Sequence, residues 1–112
     1  MNNLVNTKSG IYTYVNGTLH ENLGVALNTS VAAGGDILPS AATMPFDGTA
    51  IIDLYVSAAT TISAIVNGTS ATIYTFSAAG YVHLELELAS GDTLNLSSSA
   101  AATVSAFVGA KV

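Results

Sequence analysis

Tyr81-Val82-His83-Leu84-Glu85-Leu86-Glu87-Leu88 alternates without interruption between aliphatic residues and polar or aromatic ones. A period of two is the signature of a β-strand with one side on a core and the other toward solvent. The pattern assigns Val82, Leu84, Leu86 and Leu88 to the inside and Tyr81, His83, Glu85 and Glu87 to the outside. Downstream, Gly91-Asp92 reads as a turn, followed by a strand over Thr93–Leu96. A small-residue loop, Ser97–Ala102, then leads to a final strand, Thr103–Val112. Upstream, Thr61–Val66 and Ser70–Phe76 flank Asn67-Gly68, and Thr49–Val56 alternates, with Ile52, Leu54 and Val56 opposite Ile51, Asp53 and Tyr55.

Val-Asn-Gly-Thr occurs twice, at Val15–Thr18 and Val66–Thr69. Asn-Gly supplies the two positive-φ positions of a type I′ turn, so each copy predicts a tight hairpin. The flanks of the two copies do not align in one register, which makes this the recurrence of a good turn and not a repeat architecture. Between Glu21 and Gly48 the pattern loosens around Gly34-Gly35-Asp36, Pro39, Pro45 and Asp47-Gly48, with short strands expected near Gly24–Leu27 and Asp36–Leu38. Ala100–Ala102 favours helix but is too short to nucleate one. Short strands separated by turn chemistry predict an all-β chain, an antiparallel β-sandwich of jelly-roll or immunoglobulin-like form. Residues 11–112 form one domain on this reading, preceded by a flexible, polar N-terminal arm, Met1–Gly10.

The 112 residues include 50% hydrophobic but only 8% charged side chains, against about 25% charged in an ordinary domain. Much of the apolar half is alanine and valine, which bury less area per residue than leucine or phenylalanine, so subunit association is expected to supply further burial. The net charge is −5, and Lys8 and Lys111 are the only basic side chains. Phosphate neutralisation needs clusters of Lys and Arg, so nucleic acid is excluded as a partner, and anionic membrane surfaces with it. No run approaches the 18 apolar residues of a spanning helix, and Met1–Gly10 lacks the apolar segment of a signal peptide, so neither is expected.

From Gly48 to Val112 the chain resembles the C-terminal half of the jelly roll shared by tumour-necrosis-factor-like and complement-type globular heads. The residues that carry the resemblance are Ile62–Phe76 around a short turn, the Gly80-Tyr81 corner, Val82–Leu88, Gly91-Asp92-Thr93-Leu94-Asn95-Leu96 and the closing strand Val104–Val112. Leu-x-Leu-x-x-Gly-Asp-Thr is the sharpest of these elements. The Ala/Ser/Thr-rich, charge-poor palette is similar to that of family members on spore surfaces and in phage virions, whose heads trimerise. Met1–Gly48 departs from the family pattern in its short front strands and long loops.

The resemblance, together with the short chain and a start that lacks an export signal, implies a structural phage virion protein. It would be a capsid decoration (cement) or head-fibre protein, made in the host cytoplasm and assembling as a homotrimer on the capsid surface. The expected partners are then other copies of the chain and the major capsid protein, with Asn2, Asn3, Leu4, Val5 and Asn6 of the arm contacting the capsid. The alternative is a glycan- or receptor-binding module, with Tyr12, Tyr14 and Tyr55 as an exposed aromatic surface that serves equally as an oligomer contact.

Reactive chemistry is sparse. His83, Glu85 and Glu87 share a strand face, but the alternation rule alone places polar residues there, and no further ligands are near in sequence. No metal or cofactor is expected; a ring of His83 side chains on a trimer axis is the one arrangement that would bind an ion. Asp36, Asp47 and Asp92 stand beside glycine as turn residues, and with Asp53 they lack calcium-loop spacing. No serine lies in a Gly-x-Ser-x-Gly motif, and His20 and His83 are the only histidines, so no enzyme is expected. Asn16, Asn28, Asn67 and Asn95 each open an Asn-x-Ser/Thr triplet, explained by turns and composition and not by glycosylation.

Overall fold

A computed structural model describes the backbone of residues 12–15 and 18–111 and the side chains of residues 22–111. The described residues form ten strands and no helix: β1 Tyr12–Val15, β2 Thr18–Val31, β3 Gly35–Asp36, β4 Ala42–Thr43, β5 Gly48–Val56, β6 Thr60–Val66, β7 Thr69–Phe76, β8 Gly80–Leu88, β9 Thr93–Ser98 and β10 Ala102–Lys111. All pairings are antiparallel. One sheet has the order β1-β2-β10-β5-β8, the other β3-β9-β6-β7, with β4 also on β9. The two sheets pack in a sandwich-like arrangement. Ile52, Leu54 and Val56 of β5 and Val104 and Val108 of β10 meet Ile62 of β6 and Leu94 and Leu96 of β9, all fully buried.

The hairpin chemistry reads through. Asn67 (φ 52°) and Gly68 (φ 84°) both take positive φ between the paired residues Val66 and Thr69, as a type I′ turn requires. The β1–β2 hairpin pairs Val15 with Thr18, so it too closes through a two-residue connection.

Three expectations change. The region from Glu21 onward is no loose series of short strands: β2 runs unbroken for 14 residues beside β10. Its period is hidden because its pairing with β10 shifts register twice, each time with an extra residue on β2, at Leu23 and at Leu27-Asn28. The expected strand at Asp36–Leu38 is only the two residues of β3; buried Ile37 and Leu38 belong to irregular chain held on β9, and buried Met44 is held by the Gly91-Asp92 turn. Finally, Val82, Leu84, Leu86 and Leu88 do turn inward but are only partly buried, because β8 is an edge strand.

The irregular stretch is fastened by a buried asparagine. Asn95 Oδ1 accepts the Leu38 N–H at 3.1 Å and Asn95 Nδ2 donates to the Leu38 carbonyl at 3.3 Å, while the Ile37 N–H donates to Leu96 O at 2.7 Å. A peptide group in the core needs such partners, and here a side chain stands in for a missing neighbour strand.

Candidate functional site

The register of three strands builds the outward side of the five-stranded sheet. β5 sets Tyr55 beside Tyr81 and Asp53 beside His83 of β8; β10 sets Ser105 beside Tyr55 and Phe107 beside Asp53. Val25 of β2 continues the row past Phe107. At the second bulge Asn28 takes a left-handed conformation (φ 47°) and its N–H donates to Ser105 Oγ at 3.0 Å. The bulge leaves Leu27 75% exposed on the same side as Tyr81, 64% exposed, and Tyr55, 45% exposed. Leu27, Tyr55, Tyr81 and Phe107 line a shallow, apolar groove of about 220 Å³, with Asp53 and Ser105 at its wall.

Beside the groove runs a polar chain. Tyr81 donates its hydroxyl proton to Asp53 Oδ1 at 2.6 Å, and the same oxygen lies 2.6 Å from His83 Nδ1. His83 Nε2 lies 3.1 Å from Glu85 Oε2, and Lys111 Nζ is 3.9 Å from Glu85 Oε1. Farther along β8, Thr49 Oγ1 donates to Glu87 Oε2 at 2.7 Å. The hydrogen bond to Asp53, and after it the one to Glu85, raise the His83 pKa above its ordinary value, since a protonated imidazole donates to both. The bond to Asp53 likewise raises the Tyr81 pKa.

This arrangement holds charge in place. A general base offers one ring nitrogen to a nucleophile, whereas both nitrogens of His83 face carboxylates. Those carboxylates sit at opposite nitrogens, so Asp53 and Glu85 cannot join His83 on a single ion. Among the described residues no group of three or more His, Asp or Glu side chains is placed to hold a metal. Asp92 serves its own turn, as expected, accepting the Ala89 N–H and the Asn67 side-chain amide; Asp47 instead accepts the Ser90 N–H of that distant turn, and Asp36 lies in β3, not in a turn. The Asn67 amide, then the Ala89 N–H, hold the Asp92 pKa below its ordinary value.

The three tyrosines singled out from the sequence do not lie side by side. Tyr12 and Tyr14 are on β1, at the far edge of the sheet; the Tyr12 row passes through Glu21 and Ala110 and reaches β5 at Ala50. Tyr55 is roughly 16 Å farther along β5, at about 3.3 Å per residue. It is joined instead by Tyr81, Phe107 and Leu27. Tyr81 was legible as outward-facing; Leu27 was masked by the bulge, and Phe107 needed the β10–β5 register. His20 lies within β2. Asn2, Asn3, Leu4, Val5 and Asn6 lie outside the described residues. The chain matches no protein-family model and no curated protein.

Proposed function

We propose that this chain is a structural virion protein, a capsid decoration or head-fibre protein whose copies associate through the outward side of the five-stranded sheet. The observation that carries the reading is the gathering of Leu27, Tyr55, Tyr81 and Phe107 on that side, in a chain with 8% charged residues. Aromatic enrichment with few charges is the composition of an interface core, and several exposed apolar side chains in one patch mark an interaction surface. His83 supports the same reading, with both its nitrogens set toward carboxylates of its own sheet.

The finer form we assign to the sandwich is the jelly roll. Steps β4 to β5, β5 to β6, β7 to β8, β8 to β9 and β9 to β10 each change sheet, which favours winding two sheets together over stacking two meanders. The association we assign is a homotrimer, with outward sheet sides converging on the axis and residues 2–6 reaching the major capsid protein at the capsid surface. Light scattering tests the first part: at micromolar concentration the expected mass is that of three 11.3 kDa protomers, and a strict monomer would overturn it. Co-sedimentation with undecorated capsids tests the second.

One observation favours a glycan-binding alternative: Tyr55 and Tyr81 present adjacent rings next to the Asp53 carboxylate. A reproducible glycan-array signal abolished by Tyr55→Ala, from a chain that does not decorate capsids, would replace the virion reading with this one.

A further inference from the structure

The apolar groove and the polar chain share residues. Asp53 and Tyr81 line the groove, and both are hydrogen-bonded in the row that contains His83. Resting on the reading of this side as the self-association surface, we propose that the protonation state of His83 sets how tightly copies of the chain associate through it.

The groups that face His83 are Asp53 on β5 and Tyr81 and Glu85 on β8, with Lys111 of β10 behind Glu85 and Glu87 farther along β8. Histidine is the side chain in this row whose ordinary pKa falls between pH 5 and 8, so His83 is the group through which the row senses pH in that range. When it is protonated, one cation is hydrogen-bonded between two carboxylates. When it is neutral, the wall of the groove carries the charge of Asp53 without that cation.

Covering the groove with a second copy takes the Asp53 carboxylate farther from water, and a carboxylate withdrawn from water is costly unless a cation is bonded to it. Like-charged rims of neighbouring copies also approach one another, a repulsion each His83 proton reduces. The associated state therefore holds the proton more tightly than the separate chain. By linkage the same proton strengthens association, by up to about tenfold per pH unit for each protomer that takes one up. Association is strongest at mildly acidic pH and weakens as pH rises through the His83 pKa.

The test is sedimentation equilibrium of the full chain at pH 5.5 and pH 8.0, at matched ionic strength, beside His83→Gln and Asp53→Asn. Glutamine keeps hydrogen-bonding groups at the position without titrating. The unaltered chain is expected to associate at least about tenfold more weakly at pH 8.0. His83→Gln should lose most of that dependence, and Asp53→Asn should associate more tightly than the unaltered chain at pH 8.0. A His83→Gln variant with undiminished pH dependence, or an unaltered chain that assembles equally at both values, overturns the proton control and leaves the self-association reading standing. A chain that remains monomeric at both values overturns the two together.

Discussion

Gly68 shows how much a single backbone torsion constrains this chain. Its φ of 84° lies in the left-handed region, and a Cβ there would meet no neighbour within 4 Å, so the whole cost of substitution is torsional. Gly68→Val should lower stability by about 1–3 kcal/mol, read as a drop in denaturation midpoint with an unchanged m-value. Asn95 is the opposite case, constrained by its partners and not its backbone. Asn95→Ala leaves the Leu38 peptide group buried without its side-chain partner, and about 1–3 kcal/mol should be lost for each buried polar group so orphaned. Were Asn95→Ala as stable as the unaltered chain, the clamp on residues 37–38 would be refuted. His83 makes a pH-dependent contribution. Because its folded pKa is raised, its stabilisation is full below the unfolded value of about 6.5 and is lost as pH rises through the folded value. The thermal midpoint of the unaltered chain should therefore exceed that of His83→Gln at pH 5.5 and converge toward it by pH 9. The effect is small, because the imidazole is half exposed and solvent screens the pair.

At the scale of elements, position in the sheet decides what alternation alone cannot. β5 and β8 both alternate, but β5 lies between β10 and β8 and its inward row is wholly buried, whereas β8 closes the sheet and its inward row is half open. Ile52→Ala should cost about 2–5 kcal/mol, Leu84→Ala clearly less, and Glu87→Ala little beyond its one hydrogen bond. Equal losses at Ile52 and Leu84 would contradict the edge placement of β8. The bulges of β2 are the second lesson. Period-two reading works for β8, β9 and β10, where inward residues fall on alternate positions. It fails on β2, where extra residues at Leu23 and Leu27-Asn28 turn the pattern over twice within one strand. That failure also concealed the most exposed apolar residue of the groove, Leu27.

For the whole molecule, the hydrophobic core lies between the sheets and a second apolar surface lies outside one of them. Ile51 bridges these descriptions: it is 5% exposed although it sits on the outward side of β5, between Gly109 and Glu85 in register. Folding of residues 12–111 relies on this sandwich, whereas attachment to a capsid is proposed to use residues 2–6. Deleting residues 1–10 should leave the thermal midpoint and the associated mass unchanged while weakening co-sedimentation with capsids. In the proposed homotrimer, loss of all three arms should reduce apparent affinity by more than one arm contributes, because linked contacts raise effective concentration. Undiminished decoration by the shortened chain would remove the arm from the attachment mechanism.

Local chemistry, by itself, determined the all-β class, both hairpins, the strands from Gly48 onward and the inward row of β8. Those features depend on side-chain period and on the positive φ of Asn-Gly, each set within a few residues. Tertiary structure alone decided which strands are central and which are edges, how the residues from Glu21 to Gly48 are used, and what meets on the outward side. Tyr55, Tyr81, Phe107 and Leu27 come from four different strands, and Asp53 reaches His83 only through the β5–β8 register. Register across strands is a long-range property: it follows from the summed burial of both sheets and from bulges, so no local window of sequence contains it.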